Sequence, residues 1–496
     1  MINHFAELLS PDQVNRVHEA SLHILEQVGL LVRNEKARDT FAQHGCNVDS
    51  ENLIVKFPHQ VVEEYRKLMP PAFTFKGRDP KYDRTIPDQS PVIVTGSSAP
   101  NIVDPDTGQE RRAESGDIAR IAALINALPG HDVFSISTLA EDAPEGQFSL
   151  SRFYPTLKYC QKPIRGNTPN FDDLQQILKL LEMVAGGKEA YREHPFVTHH
   201  YCPVVSPLTM DLDSTEQTMY LAREGLPVYG SIVPNAGLTA PLSMSGALAQ
   251  GNAEFLVLAV LIQMIHPGAE LIYATLPTVA DMRSGAYASG AIETGILHIG
   301  HAQMARFYNV PCGGYVGLTN AKINDAQSGY ETGMSTVAAV LGGADMLNMT
   351  GLMDGLMSFD YAKAAIDDEI ALMLKQIKRG LEFSEENLTL DVIAATGPGG
   401  MFLDNPHTFK YMKTTGLLPV ISDRAPRRGW SDKGALDSNA RAINRVKTIL
   451  SKDYPSFISQ DLDAQLRAAF PNLVQGEFVP FGAPQPAVGM AAVSRN

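Results

Sequence analysis

Cysteine is scarce: the 496 residues hold four, at Cys46, Cys160, Cys202 and Cys312, with no CxxC pair. That excludes a disulfide framework and a cysteine-built zinc cluster, and it suits a reducing compartment. Basic residues are outnumbered, 41 Lys and Arg against 55 Asp and Glu, for a formal net charge of −14. A general nucleic-acid binder needs basic surface to neutralise phosphates, so that class is excluded. The opening stretch MINHFAELLSPDQ lacks a basic region followed by an apolar core, which argues against a signal peptide. The longest apolar run, around Phe255–Ile265, is too short to span a bilayer. A cytoplasmic protein is expected. Also missing are HExxH, GxSxG, a P-loop and paired carboxylates at catalytic spacing. No GxGxxG follows an early strand, which weakens an open nucleotide-binding sheet.

What is present is the composition of an ordinary folded protein, 44% hydrophobic and 19% charged. Ser10, Pro11 and Gln13 form a helix-start signal, Val14, Val17, Ser21, Ile24, Leu25 and Val28 share one face, and Gly29 can stop the helix. A second helix is expected over Glu35–His44 and a third over Pro58–Leu68, between extended pieces at Leu53–Phe57 and Phe73–Phe75. Val92–Val94 and Asn101–Val103 read as a hairpin or paired strands before the turn Asp104–Gly108. Residues 1–130 are thus a mixed α/β flanking region.

From residue 131 short β-rich runs alternate with helical stretches. They stand at Val133–Thr138, Ile164–Asn167, Phe196–Tyr201, Val228–Val233, Leu271–Leu276, Cys312–Val316, Met346–Met349 and Pro419–Ser422. Eight strands alternating with helices predict a closed (β/α)8 TIM barrel over 131–455, because crossover helices bury both faces of a parallel sheet. Residues 456–496 are expected to add a C-terminal helix and an extended, Pro/Gly/Ala-rich arm that makes a homo-oligomer plausible.

Barrel chemistry sits in the loops after the strands. Those loops are Leu139–Phe148, Asn167–Asp172, Tyr201–Asp211, Pro234–Ser245, Pro277–Glu293, Gly317–Glu331, Thr350–Tyr361 and Asp423–Trp430. Other patterns have plain explanations. His298 and His301, three apart in a predicted helix, are better helix-packing residues than metal ligands, and no metal site is expected. His199 and His200 point to opposite faces of a strand, so at most one faces the barrel interior. Gly397-Pro-Gly-Gly400 lies at the wrong end for a phosphate cradle. Met346, Met349, Met353 and Met357 read as core, and Asp367-Asp368-Glu369 as a mainly solvated helix face.

Several segments resemble the trimethylamine methyltransferase superfamily. They are Val17-His-Glu-Ala-Ser21 running on to Ile24–Gly29, Asp281-Met-Arg-Ser-Gly285 with Ala302-Gln-Met-Ala-Arg306-Phe-Tyr308, and Asn320-Ala-Lys322 with Asp325-Ala-Gln327 and Gly329-Tyr-Glu331. His407-Thr408 ahead of Pro419, Asp423-Arg424 and Trp430 completes the set, and the likeness runs to about residue 475. Gly400 departs from it, standing near where many relatives carry a histidine. The founding members use pyrrolysine; this chain has ordinary residues throughout, and the corresponding position falls in or near Glu331–Met334.

The resemblance implies a barrel enzyme that moves a methyl group from an amine to the cobalt of a separate corrinoid protein. Trimethylamine needs a fourth bond to nitrogen before its methyl becomes a good electrophile, a task associated with pyrrolysine. A quaternary ammonium already has that bond and leaves as a neutral amine. The non-pyrrolysine branch is accordingly linked to quaternary amines, glycine betaine above all, giving dimethylglycine. The implied cofactor is cob(I)alamin, converted to methylcobalamin on the partner corrinoid protein, with none bound tightly by this chain.

Such a substrate calls for aromatic faces and negative charge. Tyr201, Tyr273, Tyr315 and Phe359, at or just beyond strand ends, are the cage candidates, each with barrel packing as its other reading. Glu331, then Asp325, are the carboxylates expected to face the ammonium; either serves equally as a helix cap or brace. His407, Arg424, Asn348 or backbone N–H groups are the candidate donors to the substrate carboxylate. Demethylation of carnitine, proline betaine or γ-butyrobetaine, a binding-only barrel, and a zinc-dependent methyltransferase are the alternatives.

Overall fold

In the computed structural model, which describes residues 4–481, eight parallel strands close around one axis. They are β1 (Val92–Thr95), β2 (Phe134–Ser135), β3 (Ile164–Gly166), β4 (Val197–Tyr201), β5 (Val228–Ile232), β6 (Tyr273–Thr275), β7 (Cys312–Tyr315) and β8 (Met346–Thr350). Each pairs with the next, β8 returns to β1, and Val94 bridges Val133 to close the β1–β2 seam. The expected TIM barrel is the fold, but one strand is not where the sequence pattern put it.

The eighth member is Val92–Thr95, not Pro419–Ser422. Val92–Thr95 is buried on both faces and lies between β8 and β2. The barrel sheet therefore draws its first strand from the segment read as a flanking region. Val92–Thr95 does not pair with Asn101–Val103, which joins Ser358–Asp360 and Glu110–Arg112 instead. The run at 419–422 has no strand neighbour because a carboxylate supplies what a ladder would have. Glu369 accepts from the N–H groups of Val420, Ile421 and Ser422 at 2.7, 2.7 and 2.9 Å. This also corrects the solvated reading of Asp367-Asp368-Glu369, since all three are buried and partnered. Asp367 pairs with Lys363 and accepts from Gly351 N, and Asp368 holds His131 and Gly130 N. Burial is tolerated because each carboxylate has charged or N–H partners.

The helix Met244–Ile265 is long and apolar enough to cross a membrane, yet it is almost entirely buried within the protein. It is apolar all round because two layers cover it, the barrel on one side and the N-terminal helices on the other. Ser21, on the helix Pro11–His23, donates to Ala249 O at 2.8 Å and accepts from Asn252. That first helix carries the capping box of Ser10 and Gln13 that its sequence announced. At the base, the hairpin of Phe73–Phe75 and Arg84–Ile86 plugs the barrel, packing Phe73, Phe75 and Ile86 on Val92, Val133, Ile272 and Met346. The C-terminal segment packs on its own barrel as far as it is described: Glu477 meets Lys158 and Tyr159, and Phe478 stacks near Tyr159. The rest of the expected arm, 482–496, lies outside the described residues.

Candidate active site

Above the apolar plug the barrel interior turns polar. Strand parity sets this layer: Ser135, Arg165, His200, Tyr229, Ser231, Tyr315 and Asn348 point inward, where barrels usually stack branched apolar side chains. Arg165 is its centre. The guanidinium donates from Nε to Ser135 Oγ at 3.0 Å and from Nη1 to Tyr229 Oη at 3.2 Å. From Nη2 it donates to Ser97 Oγ at 3.2 Å and Tyr315 Oη at 2.5 Å. Every acceptor is a neutral hydroxyl, and no carboxylate lies within ion-pairing distance among the described residues. Arg165 is 1% exposed.

The neighbours reinforce that unbalanced charge. His200 shares a 2.8 Å hydrogen bond with Ser231, and its ring lies tilted against Tyr229 with centroids 4.9 Å apart. Burial, aided by the Arg165 cation, pushes its pKa well below the ordinary histidine value, so it is neutral. Asn348, paired across the sheet with Tyr315, is fully buried, and neither its Oδ1 nor its Nδ2 has a hydrogen-bond partner. A second buried arginine, Arg152, holds Thr138 O, Asn167 Oδ1 and Ser98 Oγ at the edge of the mouth. Burial lowers its pKa to about 10, which leaves it cationic at neutral pH.

Tyr315 reaches this layer because two glycines, Gly313 and Gly314, precede it in β7. A Cβ at Gly314 would fall 1.8 Å from Thr275 O, so only glycine lets β7 lie this close to β6. His298 fixes the strand end from behind, with its Nε2 2.6 Å from Tyr315 O. The mouth above is lined by Val233, Leu276, Leu318 and Leu356, which pack against Tyr315. The hairpin of Thr278–Asp281 and Ala286–Ala288 contributes Tyr287, whose buried hydroxyl has no partner.

Glu331 braces this rim. Its Oε2 accepts from Thr319 Oγ1 at 2.6 Å and Asn320 N at 2.8 Å, and its Oε1 from Gln327 at 2.9 Å. Asn320 in turn holds Gly290 N and Tyr287 O, so one carboxylate ties the loop after β7 to the hairpin after β6. Asp325 caps the helix Ala326–Gly342, accepting from Gln327 N, and is exposed.

The other expected residues scatter. Tyr201 pairs with Gly230 while its neighbour His200 pairs with the inward Tyr229, so Tyr201 faces out and bonds Thr168. Tyr273 also faces out, bonded to Asn252 and His301 with its ring on Phe255. Phe359 packs on Tyr361 beside Gly351, behind the barrel wall. Of the four aromatic candidates, Tyr315 alone enters the interior.

His407 packs against Tyr411 in a groove with Arg379 at the far end of the helix Tyr361–Arg379, the end that faces the barrel base. Arg424 is exposed and donates to Leu417 O. Asn348 is the one expected carboxylate donor in the interior. Arg165, Ser97 and Tyr229 were not singled out from the sequence. The signal for Arg165 was a charged residue inside a short β run, Ile164-Arg165-Gly166, and Ser97 follows the strand that was left out of the barrel.

The family model described as trimethylamine methyltransferase (MTTB) matches residues 2–472. The chain belongs to that family.

Among trimethylamine methyltransferase relatives, it is 33% identical to a glycine betaine methyltransferase of Desulfitobacterium hafniense strain Y51, over 93% of this chain and 96% of the relative. It is 28% identical to a trimethylamine methyltransferase of Desulfitobacterium hafniense strain DCB-2, over 92% of each chain. Identity is also 28% with that of Methanosarcina thermophila, over 93% of this chain and 96% of the relative. Within this methyltransferase fold, the resembling segment Asp281–Gly285 forms the tip of the mouth hairpin and Gly329–Glu331 carries the rim brace. Gly400 sits in a turn where a Cβ would lie 2.2 Å from Thr396 O, so this chain's local path leaves no room for a side chain there.

Proposed function

We propose that the protein takes a methyl group from a quaternary amine, glycine betaine foremost, and delivers it to the cob(I)alamin of a separate corrinoid protein in the cytoplasm. The observation that carries the reading is the likeness to a glycine betaine methyltransferase over nearly the whole of both chains, in a sequence built of ordinary residues where founding members place pyrrolysine.

The corrinoid supplies a cobalt(I) nucleophile strong enough to accept a methyl group from nitrogen. The chain's part is orientation and exclusion of water. The rim around the barrel mouth fits a docked macromolecule. Leu238, Leu242, Met282, Ile323, Tyr330 and Met334, all from segments that follow strands, are exposed there, and clustered exposed apolar side chains mark interaction surfaces. Glu331 holds two of the rim segments together, and its carboxylate lends the mouth negative character for an ammonium. The C–N electron pair stays with the departing amine, so no residue needs to donate a proton, in keeping with a neutral His200 and the lack of an acid–base pair in the interior layer.

The test is anaerobic incubation of the purified protein with reduced cob(I)alamin and glycine betaine. Loss of the cobalt(I) spectrum matched one for one by dimethylglycine, with none from trimethylamine, is expected. Failure with glycine betaine, carnitine, proline betaine and γ-butyrobetaine alike would overturn the reading.

A further inference from the structure

Arg165 has five N–H groups, of which four are bonded, all to neutral hydroxyls. A guanidinium cannot shed its charge in a protein interior, and an uncompensated buried charge is costly. Within the same layer Asn348 is buried with both amide atoms idle, a condition that native structures rarely leave without a ligand or water. Both share the inward layer with Tyr229, whose hydroxyl Arg165 bonds. They also flank Tyr315, one by hydrogen bond and one by strand pairing. The free Nη1 N–H and the unbonded Nδ2 are two donors in one layer, one for each oxygen of a carboxylate.

We infer that Arg165 and Asn348 form the receptor for the substrate's carboxylate, deep in the barrel, and so set both specificity and orientation. With the carboxylate anchored below, the ammonium of a betaine stands above it at the level of the mouth, its methyl groups toward the open end. Arg165 repels a cation that brings no carboxylate, which selects betaines over trimethylamine or choline. Its own guanidinium lies 5.0 Å from the Tyr315 centroid, so that face of Tyr315 is taken and the ammonium must find other surfaces. The inference rests on the quaternary-amine reading only for the cationic half of the ligand.

The experiment is calorimetric titration of wild type, Asn348→Leu, Arg165→Met and Arg165→Lys with three probes. These are glycine betaine, tetramethylammonium (the cation alone) and 3,3-dimethylbutyrate (the carboxylate on an uncharged isostere). Loss of either receptor residue is expected to weaken glycine betaine and 3,3-dimethylbutyrate by about tenfold or more. Tetramethylammonium should bind no worse, and tighter in Arg165→Met. Asn348→Leu removes an amide whose two polar atoms form no geometric hydrogen bond, so its melting temperature should stay near wild type, which separates ligand loss from misfolding. Unchanged betaine affinity in Asn348→Leu and in folded Arg165 variants would overturn the inference and leave the methyl-transfer reading intact. A wild type that transfers no methyl from any betaine but binds 3,3-dimethylbutyrate through these residues would do the reverse. A wild type that binds neither carboxylate overturns the receptor outright.

Discussion

The Arg165 guanidinium donates to the Tyr315 hydroxyl at 2.5 Å and lies 5.0 Å from the centroid of the same ring. One tyrosine thus serves the cation twice, as acceptor and as aromatic partner, in a layer where no carboxylate is at hand. Tyr315→Phe keeps the ring and removes the hydroxyl that accepts from Arg165 and shares a hydrogen bond with Ser97. A loss of about 1.5–3 kcal/mol is expected, the range for hydrogen bonds to charged groups. Urea denaturation measures it, and a variant as stable as wild type would show that the hydroxyl does not support Arg165.

Tyr273 and Tyr201 make the contrasting case, because both face the helices. Tyr273→Phe breaks bonds to Asn252 and His301, and Tyr201→Phe breaks one to Thr168. Each should cost about 1 kcal/mol of stability while leaving KM for the quaternary amine within about twofold of wild type, since neither ring enters the interior layer. A tenfold rise in KM for either would restore it as a candidate for binding the ammonium.

Glu331 is predicted to act through the rim it braces. Glu331→Gln keeps one acceptor oxygen and loses the charge, so the ties to Thr319 and Asn320 weaken without vanishing. A fall in kcat/KM of about tenfold is expected, at the scale of about 1.4 kcal/mol, with the melting temperature little changed. Glu331→Ala should fall further and become more sensitive to proteolysis in the loop after β7. Full activity in both variants would reduce Glu331 to a surface residue.

Stability should decline on mild acidification. Burial holds His298 at a pKa of about 4 and His199 and His301 at about 3, and holds His200 well below its ordinary value. The unfolded chain titrates these groups near about 6.5, so below that pH it binds protons that the folded protein refuses. The stability contributed by each neutral histidine is therefore full above about pH 6.5 and is lost as pH falls toward the folded pKa. The slope is up to about 1.4 kcal/mol per pH unit for each. Melting temperatures measured from pH 7.5 to 5 should fall steadily; a flat profile down to pH 5 would contradict neutral burial of the four.

Local pattern carried the fold class and seven of the eight barrel strands. Alternating β-rich runs and helical stretches encode crossover units, and eight of them in one chain lead to a closed barrel, because only a covered parallel sheet buries strands that are apolar on both faces. The capping box at Ser10 and the family motifs at 281–285 and 329–331 were likewise visible in the chain, whereas Glu331 stood out there as a carboxylate for the ammonium and only the structure has it bracing the rim. Tertiary structure decided the rest, for reasons of pairing and facing. Val92–Thr95 and Pro419–Ser422 are equally short apolar runs, and what separates them is a distant partner: β8 and β2 cover the first, while Glu369 satisfies the N–H groups of the second. The acidic run 367–369 looked solvated because, apart from Lys363 beside Asp367, most of its partners (Gly130, His131 and the N–H groups of 420–422) come from segments far away in sequence. Strand parity is two residues long, so a one-residue difference in register turned Tyr201 and Tyr273 outward and Tyr315 inward. Arg165, Ser97, Tyr229 and Asn348 are spread over some 250 residues of sequence, and only closure of the barrel, which no local spacing records, brings them into one layer.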